Sequence, residues 1–152
     1  MGGCFTKSKL NPLHIPDKVT RKDLPKFVPR IRNGKVIEVY DGDTITIAAY
    51  ESGELFQFQV RLIGIDTPEK RTKDENEKLV ALIAKMFLEE LLLYKTVQLK
   101  NIGMDKYGRI LANVYFEDND VSSLLISNRL GVPYFGKTKS VPTNWLKYYE
   151  GN

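Results

Sequence analysis

The sequence has one cysteine, Cys4, and one histidine, His14, among 152 residues. A single thiol cannot form an internal disulfide, and zinc or copper sites need clustered thiolate and imidazole ligands, so neither kind of staple is available. His14 stands alone in a proline-containing stretch and reads as a linker residue. Long apolar runs are missing too: the longest last only a few residues, far short of the roughly 20 that cross a bilayer. No apolar segment follows a basic start, so a secretory signal is not expected and the chain reads as facing the cytosol.

Basic charge is scarce where a nucleic-acid binder would need it. The net charge is +4, but residues 1–30 hold seven lysines and arginines against two aspartates, a net of +5 that leaves residues 31–152 at −1. General electrostatic attraction to phosphate is thereby excluded for residues 31–152. Any phosphate there must be held by a few placed side chains.

The remaining composition, 42% apolar and 28% charged over 152 residues, suits one globular domain with a real core. Pro12, Pro16, Pro25 and Pro29 fall within residues 7–30. Each removes an amide donor and disfavours helix before it, so residues 1–30 form an N-terminal arm with an extended linker and residues 31–152 the folded domain. Short alternating segments follow: Val36 to Tyr40, Thr44 to Ile47, and a long strand over 55–65 with Phe56, Phe58, Val60 and Leu62 on one face. After a polar loop at 70–76, Leu79, Leu82, Ile83, Met86, Phe87 and Leu91 recur at helical spacing and predict a helix with that face inward. Strands over 96–100 and 110–116 come next, then a helix over 121–130 closed by Gly131. This order predicts an α+β, mainly β chain: a five-stranded barrel of the OB type, one helix between strands three and four and another after strand five.

The charged residues inside this apolar framework are the informative ones. Asp41, Asp43, Asp66 and Glu69 lie at strand ends and turns, where carboxylates from different strands can converge on a hard, oxygen-seeking cation such as Ca2+. Taken singly, Asp41-Gly42-Asp43 and Asp66-Thr67-Pro68-Glu69 are ordinary turn grammar. Arg61 alters the weighing, because it sits among Val60, Leu62, Ile63 and Ile65, and a guanidinium there needs an anion. Arg109, opening another apolar strand, repeats the anomaly. Two guanidiniums beside a carboxylate cluster suit phosphodiester hydrolysis, in which charge builds on the phosphorus oxygens while a carboxylate activates water. A purely structural arginine–aspartate pairing is the plainer alternative.

In order and spacing, Asp41-Gly-Asp-Thr44, Arg61, Asp66-Thr-Pro-Glu69 and Asp105-Lys-Tyr-Gly-Arg109 resemble the staphylococcal nuclease family over about residues 31–137. The resemblance implies Asp43 and Asp66 as carboxylate ligands of Ca2+ and Thr67 as a carbonyl ligand, with Asp41 and Thr44 supporting them. It implies Glu69 as the residue that activates water and Arg61 and Arg109 as the phosphate clamp. Lys106, Tyr107 and Tyr134 would hold substrate. The implied activity is calcium-dependent cleavage of DNA, with RNA as a further substrate, leaving 3′-phosphate ends. Two departures stand out. Val121-Ser122 replaces the family's Val-Asn, putting a buried polar contact in question, and the last long helix is absent or reduced to 143–149.

Met1-Gly2-Gly3-Cys4-Phe5-Thr6 fits the pattern for myristoylation at Gly2, with Cys4 placed for a palmitoyl chain. One myristoyl chain binds membranes only marginally, so Cys4 or the basic arm would supply the second signal. This start resembles lipid-anchored calcium-dependent nucleases of plants and implies a monomer on the cytosolic face of a membrane, in a eukaryote or a virus of one. Trp145 reads as an aromatic anchor for the C-terminal tail. The alternative reading of the whole is a non-catalytic OB module that binds nucleic acid or serves a structural role at a membrane or in a virion.

Overall fold

Alternation builds the barrel strands. In the computed structural model, which describes residues 14–152, β1 (Asn33–Val39) turns Gly34, Val36 and Val39 inward. A register shift between Val36 and Glu38 against the next strand puts one extra residue outside and keeps Val39 in the core. β2 (Thr44–Glu51) buries Ile45, Ile47 and Ala49 and reaches Ser52 and Gly53, with φ of 52° and 86°. Two successive positive φ values make the tight hairpin turn that matches strand twist, and β3 (Glu54–Leu62) returns from it. The arm is irregular over 14–28, whereas Pro29 and Ile31 are buried and the Arg30 amide donates to Glu51 Oε2 at 2.6 Å.

The long strand expected over 55–65 is interrupted. Gly64 takes φ of 83°, and the chain re-forms as the short strand β4 (Gly64–Asp66) after a bend. A continuous strand would hold residues 61 and 66 about 16 Å apart on opposite faces. The bend folds them together instead, which glycine permits at no steric cost. The shared face of β3 also differs from expectation: Val60 and Leu62 are buried, but Phe58 is half-buried and Phe56 exposed, because the β2–β3 hairpin runs past the barrel wall.

α1 (Glu75–Leu92) begins earlier than the polar loop suggested, since Asp74 caps it by accepting from the amides of Asn76 and Glu77. Its inward face is also rotated from the expected one. Val80, Ala81, Ala84, Leu88 and Leu92 are buried, Ile83, Phe87 and Leu91 are half-buried, and Leu79, Leu82 and Met86 are exposed. The cause is the small side chain of Ala84, against which the turn at Gly42 packs so closely that a Cβ on Gly42 would lie 3.0 Å from the alanine methyl.

β5 (Thr96–Met104) and β6 (Ile110–Phe116) form the second hairpin, followed by β7 (Asn119–Asp120), α2 (Val121–Ser127), β8 (Val132–Tyr134) and α3 (Trp145–Glu150). The neighbour order β3-β2-β1-β5-β6 closes on itself through a parallel pairing of Val60–Leu62 with Ile110–Ala112. The result is a closed five-stranded barrel, mainly β and of the OB type, with three helices among the described residues. The small pair β4–β8 stands outside it.

α2 ends at Ser127 with Asn128 as its C-cap, and Arg129, not Gly131, carries the positive φ of 57° after it. Gly131 serves packing: a Cβ there would meet Ile65 Cδ1 at 2.5 Å and the Asp66 carbonyl at 3.1 Å. Trp145 is buried and stacks edge-on against Tyr148, so the C-terminal turn belongs to the core. Ser122 makes the polar contact that its replacement of asparagine put in question, donating its buried hydroxyl to the Ile63 carbonyl at 2.8 Å.

Gly131→Ala is expected to cost about 1–3 kcal/mol by overpacking. Gly103, where an added Cβ meets nothing within 4 Å, is the control. Its alanine variant should stay within about 0.5 kcal/mol of the parent in urea titrations.

Candidate active site

The carboxylates converge because three backbone features aim them. In the β1–β2 turn the Asp43 amide donates to Asp41 Oδ1 at 3.2 Å, and the Tyr40 and Asp41 amides both donate to the Thr44 carbonyl. The Leu62 amide donates to the Asp43 carbonyl at 2.8 Å, and Thr44 pairs with Arg61 across β2–β3. The turn is thus fastened beside Arg61. The bend at Gly64 then brings Asp66 in from the other side.

Arg61 joins these parts. Its Nη2 lies 3.1 Å from Asp43 Oδ2 and 3.9 Å from Asp66 Oδ1, while Nη1 donates to the carbonyls of Leu62 at 2.9 Å and Ile65 at 3.2 Å. Asp41, Asp43, Thr44, Arg61, Asp66 and Thr67 therefore assemble at one end of the barrel, with Thr44, Asp66 and Thr67 buried. Burial pushes the Asp43 carboxyl up to about 6. The Arg61 charge opposes this rise and the neighbouring Asp41 carboxylate adds to it.

Glu69 lies further out and is exposed. Its amide donates to Glu77 Oε1 at 2.9 Å, which ties the loop to the first turn of α1. Lys139 spans the gap, with Nζ 3.0 Å from Asp66 Oδ1 and 3.9 Å from Glu69 Oε1. Neither Glu77 nor Lys139 belongs to a motif. For Glu77 the one available signal is its place in the first turn of a helix; for Lys139 there is none.

Arg109 reaches the same end from the turn just before β6. Asp105 organises its turn: Oδ1 accepts from the amides of Tyr107 at 2.8 Å and Arg109 at 2.9 Å, and Oδ2 pairs with Arg109 Nε at 2.7 Å. Gly108, at φ of 82°, completes the reversal. Arg61 and Arg109 line one pocket together with Tyr134, Phe135 and Gly136. Tyr107, Arg109 and Thr44 line an adjoining one, where the Tyr107 ring takes Arg109 at 5.6 Å and Lys106 at 5.0 Å. Phe135, exposed on the rim, has no counterpart among the expected residues.

The donor set favours a hard cation. No three of Asp, Glu, His and Cys converge as a metal site among the described residues, so protein groups alone would fill only part of a coordination shell, with water completing it. Asp43, desolvated and resisting ionisation, is the kind of carboxylate that a nearby cation would keep charged.

Residues 59–149 match the family described as staphylococcal nuclease homologue. The chain belongs to that family. Its relatives include a "probable endonuclease" of Komagataella phaffii, 27% identical over 147 residues, covering 80% of this chain and 64% of the relative. A "probable endonuclease" of Schizosaccharomyces pombe is 36% identical over 84 residues, covering 51% and 36%. An "uncharacterized endonuclease" of Haemophilus influenzae is 30% identical over 100 residues, covering 66% and 51%. The chain thus spans about a third to two thirds of these relatives' lengths.

The Asp105 carboxyl sits below the usual carboxylate range: burial raises it, but the bond from the Arg109 side chain, the two amides and the Arg109 charge together outweigh burial. A depressed folded value means that stability is gained above the unfolded value near 3.9 and lost as pH falls through the folded one. Asp105→Asn should cost about 1–2 kcal/mol at pH 7. The gap from the parent should narrow as unfolding is measured below about pH 4.

Proposed function

We propose that the protein is a calcium-dependent nuclease that hydrolyses DNA, with RNA as a further substrate, and leaves 3′-phosphate ends. One observation carries the reading: Asp43 and Asp66 converge on Arg61, which lines one pocket together with Arg109. The carboxylates of Asp43 and Asp66 and the carbonyl of Thr67 would hold the cation, with Asp41 and Thr44 keeping the turn in shape. A Ca2+ ion held by these residues would supply positive charge to the phosphate oxygens and order water.

The remaining steps fall to the chain's own residues. Glu69 takes a proton from the attacking water as its oxygen bonds to phosphorus. Arg61 and Arg109 face the equatorial oxygens, where negative charge grows, and their charges count for more in a partly desolvated pocket. The bond to the 5′-oxygen breaks as the bond from water to phosphorus forms, and the leaving oxygen takes its proton from solvent water. Lys106, Tyr107 and Tyr134 hold the nucleotide through charge and ring contact.

The first residues add a location. Gly2 and Cys4 lie outside the described residues, and the proposal that they carry myristoyl and palmitoyl chains rests on the sequence pattern. The basic arm would reinforce such a tether at the anionic cytosolic leaflet, with the protein as a monomer.

Single-stranded DNA incubated with the protein and Ca2+ should be cut, and chelator should stop the cutting. Arg109→Ala and Glu69→Gln should each lower the rate by about 10²–10³. A folded, calcium-loaded sample that leaves DNA intact overturns the proposal. Intact-mass measurement of protein made in eukaryotic cells should find a myristoyl group on Gly2, and an unmodified Gly2 removes the tether.

A further inference from the structure

Lys139 occupies an unusual place for a residue outside every motif. Its Nζ bonds Asp66 Oδ1 at 3.0 Å, the same oxygen that Arg61 Nη2 approaches at 3.9 Å, and it lies 3.9 Å from Glu69 Oε1. The Asp66 side chain is 5% exposed and that of Lys139 is 49% exposed. A deeply placed carboxylate is therefore neutralised from outside by a lysine whose side chain is half exposed. Such a group holds by point charge, without the planar fork of a guanidinium, and returns to solvent at small cost.

Lys139 is carried by residues 135–144, a strap with neither helix nor strand. Both ends of the strap are fixed. Tyr134 pairs with Gly64 in the β4–β8 ladder, and Asn144 caps α3, whose Trp145 is buried. Between these anchors, residues 135–143 make no backbone–backbone hydrogen bond among the described residues. Phe135 and Gly136, at the start of the strap, line the pocket shared with Arg61 and Arg109.

We propose that Lys139 is a built-in counter-ion for Asp66 and Glu69, and that it gives up its place when a divalent cation enters, freeing the strap beside the substrate pocket. The inference rests on the reading of Asp66 as a metal ligand. In the cation-free protein Lys139 offsets the repulsion between the two carboxylates and draws the strap toward them. Its departure links cation entry to the mobility of the pocket rim, so the nucleotide would meet a different rim with and without the cation.

Calorimetric titration with CaCl2 of the parent, Lys139→Met and Lys137→Met tests this. Lys137 lies on the same strap, is exposed and has none of the ion pairs of Lys139, so it controls for the change in net charge. Lys139→Met should bind calcium about tenfold more tightly than the parent, the scale of one charge-assisted contact removed from competition. Amide exchange over 136–141 should quicken when calcium is added to the parent, and should already be quick in calcium-free Lys139→Met. An affinity gain no larger than that of Lys137→Met, or exchange unchanged by calcium, overturns the inference while leaving the metal site standing. Absence of calcium binding in all three proteins overturns the metal reading and this inference with it.

Discussion

The guanidinium of Arg61 is the joint on which the site depends. It links the β1–β2 turn through Asp43, β4 through Asp66, and its own strand exit through the carbonyls of Leu62 and Ile65. A charge placed among apolar strand residues is tolerated because five donors on a rigid plane can satisfy several oxygens at once. Those oxygens belong to segments that no continuous strand could bring together. The arginine therefore fixes the geometry of the carboxylates as well as balancing their charge.

A conflict is built into this arrangement. Asp43 is buried deeply enough to resist ionisation even beside Arg61, and Asp41 adds a further like charge. Asp66 is buried and shares one oxygen between two cationic side chains. An end of a barrel evolved for stability alone would carry apolar side chains here, which commonly serve as well as a buried ion pair. Concentrating unfavourable desolvation in one small region is typical of sites whose groups are tuned for chemistry.

Much of this could be read in the sequence, and the misses have physical causes. The barrel strands were visible because alternation is a direct image of inside and outside, and Arg61 and Arg109 stood out against it. The helix was visible, but its inward face was not. Residues 79–92 of α1 are apolar over more than one face, and Ala81 and Ala84, the side chains that permit close approach to the Gly42 turn, give a weak hydrophobic signal. The break at Gly64 was hidden because one glycine in an apolar run can be either a strand residue or a reversal, and only the neighbouring β8 decides. Lys139 and Glu77 act across distances that sequence spacing cannot encode. Asp105 was seen in its motif, yet its carboxylate's command of the Arg109 turn emerges only from bond geometry.

The parallel pairing of β3 with β6 has a consequence for the chain as it is made. Val60 to Leu62 and Ile110 to Ala112 seal the barrel wall, and the charged residues divide on either side of that seam. Asp43, Arg61, Asp66 and Glu69 are synthesised first, whereas Arg109 and Lys139 come tens of residues later. Domains emerge N-terminus first, so a ribosome-bound chain exposes the carboxylates well before the second arginine exists. Barrel closure and the meeting of the two arginines are thus one event. A nascent chain therefore cannot set Arg61 and Arg109 into one pocket until its last barrel strand has left the tunnel.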